Sequence, residues 1–212
     1  IFNDRINTIL LYSIIGENAA AVYNIGKNLI SVPLLVIDSI GYITYPIFSQ
    51  QYKSSLNMLN STFNNLRRFY IITLLPVGVI FFMLSNEIIK FIYGESYTEA
   101  SIILEILSIT FVFLIIRGPI YGISTANHIY INKLSKIFSL FVIIGFAGRY
   151  YFICRYSYIG AVIGEYIFES LILIFSLFWL DYILGKNRIS IFVSFYRPII
   201  SAMFIGIVIM LL

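Results

Sequence analysis

Residues 100–124 read ASIILEILSITFVFLIIRGPIYGIS, a run whose charged side chains are Glu105 and Arg117. A helix of roughly 20 predominantly apolar residues is long enough to cross the hydrocarbon core of a bilayer. Lipid offers no hydrogen-bond partners to the backbone, so a spanning segment of this kind is helical. The run therefore predicts a transmembrane helix.

Comparable apolar runs lie on both sides of this segment. They cover residues 1–15, 19–49, 69–84, 131–152, 160–184 and 191–212. Hydrophobic residues make up 60% of the chain and charged residues only 11%, whereas soluble domains have about 25% charged residues. We therefore predict an all-α polytopic membrane protein with about seven transmembrane helices. Because the first run is short, we expect its start to be truncated and the chain to be a piece of a longer protein.

The remaining composition excludes several function classes. The formal net charge is +4, but the basic residues are scattered, whereas a nucleic-acid-binding face requires them in clusters. One cysteine (Cys154) and one histidine (His128) leave little material for a zinc site or a Cys-His catalytic pair. We predict no nucleic-acid partner, no metal, no cofactor and no enzymatic activity.

The distribution of charge predicts which loops face the cytoplasm. The loops at 50–68, 125–136 and 185–197 hold the basic residues Lys53, Arg67, Arg68, Lys133, Lys136, Lys186, Arg188 and Arg197. The opposite loops hold Lys90, Arg149 and Arg155. Cytoplasmic loops carry the excess of Lys and Arg, so the first set is predicted to be cytoplasmic in a multi-pass protein of the cytoplasmic membrane.

Two connecting segments have the periodicity of helices that lie in the membrane surface. In residues 55–70 the apolar side chains recur every three or four residues: Leu56, Leu59, Phe63, Leu66 and Tyr70. This pattern predicts an in-plane amphipathic helix on the cytoplasmic side. The second segment, residues 87–93, is predicted to end at Gly94 because glycine commonly terminates helices.

The 19–49 helix carries the richest set of polar residues. Lys27 and Asp38 are eleven residues apart and share one face of a helix with 3.6 residues per turn. Beside that stripe lie Asn24, Asn28, Ser31 and Tyr45. Intramembrane charges usually face a cavity or a charged partner. Two interpretations follow. Either the stripe forms the wall of a substrate cavity, or Lys27 extends to the outer interface and Asp38 pairs with a neighbouring helix.

Two further spans carry buried charge. Arg117 either holds a phosphate, whose oxygens match its planar fork, or pairs with Asp38 or Glu105. Glu165 and Glu169 are one turn apart, and two carboxylates in a medium of low dielectric constant cannot both ionise cheaply. They are either a proton- or cation-coupling site or a structural pair with Arg149 or Arg155.

Several short motifs follow one another in a fixed order along residues 1–184. They are Asp4-Arg5, Gly16-Glu17-Asn18, Ala21-Val22-Tyr23-Asn24, Val32-Pro33, Tyr45-Pro46, the segment from Ile89 to Tyr97, and Tyr158-Ile159-Gly160-Ala161. Their order and spacing resemble the second half of the polysaccharide flippases, the oligosaccharidyl-lipid exporters of the MOP superfamily that include O-antigen flippases.

This resemblance implies the second bundle of a MOP-type, MATE-like transporter. Residues 1–184 would be family helices 7–12, with the first truncated, and residues 185–212 an additional transmembrane helix. The implied function is to move a polyprenyl-pyrophosphate-linked oligosaccharide across the cytoplasmic membrane by alternating access, for cell-surface polysaccharide or lipopolysaccharide synthesis. The alternative is a cation-coupled small-molecule exporter of the same superfamily.

The resemblance also implies roles for particular residues. Cationic cavity residues of the family meet the pyrophosphate, and the predicted substrate-binding residues are Arg5, Asn24, Lys27, Asp38 and Arg117. Glu165 and Glu169 are the predicted ion-coupling residues. The predicted partners are the lipid-linked oligosaccharide, membrane lipids, H⁺ or Na⁺ as coupling ion, and an N-terminal bundle of the same chain.

Overall fold

The structure, a computed structural model, describes the backbone of residues 2–125 and 128–184 and the side chains of residues 5–124 and 135–180. Within these ranges the chain is helical and has no strand. The helices are α1 (Phe2–Ile14), α2 (Glu17–Ser54), α3 (Leu56–Met83), α4 (Ser85–Tyr93), α5 (Ala100–Thr125) and α6 (His128–Leu184), with a 3₁₀ turn at Glu95–Tyr97. The predicted all-α class is confirmed. The predicted helix over 191–212 lies outside the described residues, so the division at residue 185 stays a prediction.

Four helical segments are long and apolar enough to cross a membrane. They are Glu17–Ser54, Leu56–Met83, Ala100–Ser124 and Ser135–Leu180. The predicted multi-pass membrane protein is confirmed, while the count of seven spans stays a prediction. With 13 residues, α1 is about 20 Å long at 1.5 Å per residue, which is shorter than a full crossing.

Helix α6 consists of two antiparallel limbs. Its 57 residues amount to roughly 85 Å of helix, far more than the roughly 30 Å of a hydrocarbon core. The helix breaks at Ser157, whose φ is 55° and ψ −136°. Phe141 on the first limb (128–156) contacts Phe175 on the second limb (158–184) with ring centroids 5.6 Å apart, and Gly145 faces Phe168. The limbs coincide with the predicted spans 131–152 and 160–184.

Helix α5 lies at the centre of the bundle and packs against α2, α3, α4 and α6. Its side chains Leu107, Phe111 and Ile115 are almost completely buried. The crossing with α2 is close, because a Cβ added at Gly26 would lie 2.8 Å from the Ile103 side chain. Small residues allow such close approach between membrane helices.

The prediction of a separate in-plane helix over 55–70 is wrong. Helix α3 is continuous from Leu56 to Met83, and its start is capped by Ser55, whose hydroxyl accepts a hydrogen bond from the Met58 N–H at 3.4 Å. Leu59 and Phe63 are buried in the protein core. The apolar face therefore packs against protein, and no Gly or Pro interrupts residues 56–75 to separate the two predicted elements. The second predicted surface segment is α4, which ends at Gly94 with φ 89° as expected.

Candidate functional site

A cavity of about 830 Å³ lies between α2, α5 and both limbs of α6. Its charged lining residues are Lys27, Asp38, Arg117, Arg149, Glu165 and Glu169. These charges come from four helical segments, which are α2, α5 and the two limbs of α6. Lys27 and Asp38 of α2, Arg117 of α5 and the acidic pair of α6 thus face the same space.

Helix geometry explains the arrangement along α2 and α6. Lys27 and Asp38 are three turns apart and separated by roughly 16 Å along the axis, so the cavity follows the spans for about half of the hydrocarbon thickness. On the second limb of α6, Glu165 and Glu169 stack one turn apart on the face that points at α2 and α5.

Glu165 is the centre of a buried hydrogen-bond network. Lys27 Nζ lies 2.5 Å from its Oε1 atom. The Tyr23 hydroxyl donates to Oε2 at 2.7 Å, and Asn7 Nδ2 donates to the same oxygen at 3.0 Å and to the Tyr23 oxygen at 2.9 Å. One carboxylate thereby joins α1, α2 and α6, and both of its oxygens have donors.

Glu169 is held by a simpler contact. Arg117 Nη1 lies 2.9 Å from its Oε2 atom, but no N–H points at that oxygen, which has no hydrogen bond. Hydrogen bonds weaken steeply as the donor angle closes. The pair is therefore held by charge attraction without a directional bond.

Arg149 is a cavity residue that the sequence placed in an outer loop. It lies in the first limb of α6, is buried, and has its guanidinium carbon 4.6 Å from the Phe168 ring centroid. A cation over an aromatic face is stabilised by the ring quadrupole. Gly164 on the opposite limb makes room, since a Cβ there would lie 3.1 Å from Arg149 Cγ. In the sequence, the signal for this contact was an arginine on the first limb, Arg149, and a glycine on the second, Gly164.

Asn7 and Tyr23 were given no site role from the sequence. Gly16 reverses the chain between α1 and α2 with φ 121°, a conformation that favours glycine. The reversal places Asn7 beside Tyr23, both almost completely buried. The available sequence signal was a glycine at position 16 with a polar side chain at a similar distance on each side, Asn7 before it and Tyr23 after it.

The predicted site residues fall into two groups. Lys27, Asp38 and Arg117 line the cavity. Arg5 is exposed on α1 and does not line it, and Asn24 accepts a hydrogen bond from the Thr8 hydroxyl at 2.7 Å between α1 and α2. The substrate-binding roles of all five remain predictions.

The structure shows which partners the charged residues have, where the sequence left alternatives open. Arg117 pairs with Glu169, whereas the sequence suggested Asp38 or Glu105. Lys27 pairs with Glu165 instead of extending to the outer interface. Asp38 lines the cavity and is exposed in this chain.

The formal charges of the cavity balance. Three cations face three carboxylates along its wall, so the lining presents no excess of either sign until a ligand enters. Among the residues that the structure describes, no group of three or more His, Cys, Asp or Glu side chains is placed to hold a metal ion.

Comparisons with known proteins indicate which proteins this chain is similar to. Residues 1–102 match the family model described as "Polysaccharide biosynthesis protein". A segment of 116 residues is 25% identical to the teichuronic acid biosynthesis protein TuaB of Bacillus subtilis (strain 168), covering 54% of this chain and 24% of that protein. No solved structure matches the chain. The matched segment spans about a quarter of this relative, and the resemblance to polysaccharide biosynthesis proteins predicted from the sequence is confirmed.

Proposed function

We propose that this chain, a multi-pass membrane protein similar to polysaccharide biosynthesis proteins, is one helical bundle of a flippase. Its substrate would be a polyprenyl-pyrophosphate-linked oligosaccharide, moved across the cytoplasmic membrane by alternating access for cell-surface polysaccharide synthesis. This bundle would rock against an N-terminal bundle of the full-length protein, as repeats of secondary transporters do around a site near the bilayer midplane. No chemical step on the substrate is required of it.

The charged cavity is the observation that carries this proposal. Ionisable residues within membrane spans are costly and mark pathways for polar cargo. Lys27, Arg117 and Arg149 provide three cationic groups in its lining, and guanidinium groups bind phosphate oxygens with a matched pair of N–H donors. A diphosphate is the part of the proposed substrate that these cationic groups would hold.

The size of the cavity fits a polar head group. A volume of about 830 Å³ lies within the roughly 300–1,000 Å³ of pockets that enclose small ligands. That space accommodates a diphosphate with its first sugars. A polyprenyl tail is apolar and stays in the surrounding lipid, where burying its methylene groups is favourable.

The alternative function is a cation-coupled small-molecule exporter of the same superfamily. Glu165 and Glu169 in the cavity favour it, since carboxylates are natural ligands for H⁺ or Na⁺. Against it, both carboxylates already face a cation of the protein, Lys27 or Arg117. A site whose acids are compensated in this way is better suited to exchange with an anionic cargo.

A reconstitution assay separates the two functions. The full-length protein would be placed in liposomes with a fluorescent polyprenyl-pyrophosphate oligosaccharide, and its movement between leaflets followed by quenching. We expect translocation by the parent protein and a loss of about tenfold or more in Arg117→Ala, the loss of one charged contact costing about 1.5–3 kcal/mol. Arg155→Ala, an exposed arginine on the same protein, is the matched control. Efflux of small organic cations without lipid movement would replace the proposal by its alternative.

A further inference from the structure

The two carboxylates of the cavity have different surroundings, although they are one helical turn apart. Glu165 receives an ammonium, a phenol hydroxyl and an amide N–H. Glu169 receives one guanidinium that is not aligned for a hydrogen bond. Displacing the carboxylate from its partners therefore breaks three hydrogen bonds at Glu165, whereas the Oε2 atom of Glu169 has no hydrogen bond to lose.

Glu165 has the contacts of a fixed counter-ion. Its donors come from Asn7 on α1 and from Tyr23 and Lys27 on α2. Releasing its carboxylate would leave a buried charge without compensation and would also remove the Asn7 hydrogen bond between α1 and α6. Such losses from a satisfied buried network are large, so this group is poorly suited to exchange during a transport cycle.

We propose that Arg117 and Glu169 form the exchangeable pair of the cavity. An anionic group of the substrate takes the place of the Glu169 carboxylate on Arg117, and Glu169 takes up one H⁺ from the bulk solvent as it is displaced. No covalent bond of the substrate changes. This inference rests on the proposed function, because it assumes that the cargo carries a phosphate or diphosphate.

Charge balance favours proton uptake at this position. The charged or titratable groups that line the cavity with Glu169 are Arg117 and Tyr121 from α5, Lys27 and Asp38 from α2, Arg149 from the first limb of α6, and Glu165 from its own limb. The lining is formally neutral before the ligand enters. An incoming dianion adds negative charge to a site of low dielectric constant, and one proton on Glu169 offsets part of that charge.

The exchange has a defined dependence on pH. Protonated Glu169 no longer competes for Arg117, so the affinity for the anion rises as the pH falls. Binding and protonation are linked in both directions. Protonation of Glu169 strengthens binding of the anion, and binding of the anion raises the proton affinity of the Glu169 carboxylate by the same factor. A glutamine at this position mimics the protonated state at every pH.

The test is binding of radiolabelled farnesyl pyrophosphate to the purified full-length protein in detergent, at about pH 6 and about pH 8. We expect Glu169→Gln to bind the probe about tenfold more tightly than the parent at the higher pH, within the usual range of coupling between sites. The two proteins should have similar affinities at the lower pH. The probe's own ionisation affects both equally and cancels in the comparison.

Control variants separate the possible results. Glu105→Gln removes a carboxylate of α5 that does not line the cavity and should retain the parent's pH dependence. Glu165→Gln should retain it too, at lower thermal stability. If Glu169→Gln does not fold, Glu169→Asp lengthens the contact with Arg117 and should strengthen binding at the higher pH.

Failure of the proposed function and failure of this inference give different results. If neither the parent nor any variant binds the probe, the anionic cargo of the proposed function is wrong. If the parent binds and Glu169→Gln shows the same pH dependence, Glu169 is not the exchangeable group. If Glu165→Gln alone abolishes the dependence, the roles of the two carboxylates are the reverse of those proposed.

Discussion

Removing either member of the Lys27–Glu165 pair should destabilise the bundle strongly, and removing both should cost no more than removing one. The side chains of Lys27 and Glu165 are only 20% and 11% exposed, so each is mostly shielded from water. Leaving one such charge without its partner costs about 3 kcal/mol, the lower part of the range for buried pairs because both retain some solvent contact. That value corresponds to a change of roughly a hundredfold in the unfolding equilibrium.

A double-mutant cycle measures this dependence. We expect Lys27→Met and Glu165→Gln each to cost about 3 kcal/mol, and the double variant also about 3 kcal/mol instead of the additive value of about 6. The coupling free energy is then about 3 kcal/mol. Equilibrium unfolding in mixed detergent, followed by circular dichroism, supplies the four values.

A matched control uses the same substitutions on exposed residues. Lys90→Met and Glu87→Gln on α4 should be additive within about 0.5 kcal/mol. A coupling near zero for Lys27 and Glu165 would refute the reasoning, because it would mean that water compensates each charge when the other is removed.

Three further predictions concern packing and backbone. Ser157→Gly should stabilise the protein by about 1 kcal/mol in thermal unfolding, because φ 55° and ψ −136° are strained for any residue with a Cβ; an unchanged or lower midpoint contradicts this. Gly164→Leu should destabilise by about 1–3 kcal/mol through overlap with Arg149, whereas Gly148→Leu, which meets open space, should be nearly neutral; equal losses would exclude close limb packing as the cause. Tyr70→Phe removes a hydrogen bond of 3.0 Å to a backbone carbonyl of α2 and should cost about 1 kcal/mol in the same assay, and no loss would show that water or another donor replaces the hydroxyl.

The sequence predicted the helical spans well because the solvent dictates them. A run of some 20 apolar residues has one low-energy form in lipid, and residues 100–124 and 160–184 therefore needed no tertiary information. The 55–70 segment was mispredicted for the opposite reason. Its amphipathic pattern is the same whether the apolar face meets lipid or protein, and the burial of Leu59 and Phe63 depends on helices that are far away in sequence.

Of the six charged residues that line the cavity, five were singled out from the sequence, whereas Arg149 and the pairing of the charges were missed. Periodicity placed Lys27 and Asp38 on one face, because both belong to one helix. Which carboxylate Lys27 meets is decided by how α2 and the second limb of α6 approach each other across 138 residues of sequence. Helix rotation, crossing position and the turn at Gly16 all enter that choice, and none of them is a local property.

The unequal surroundings of the two carboxylates bear on how such a bundle would move. A transporter that alternates its access needs some contacts that persist and some that change. The network around Glu165 joins α1, α2 and α6, so opening it within the bundle would cost several kcal/mol with nothing in the described residues to offset that cost. The Arg117–Glu169 contact has no directional bond to lose. Under the proposed function, the bundle would therefore move as one body while the exchange of partners takes place at Arg117, where the anionic cargo supplies the compensating charge.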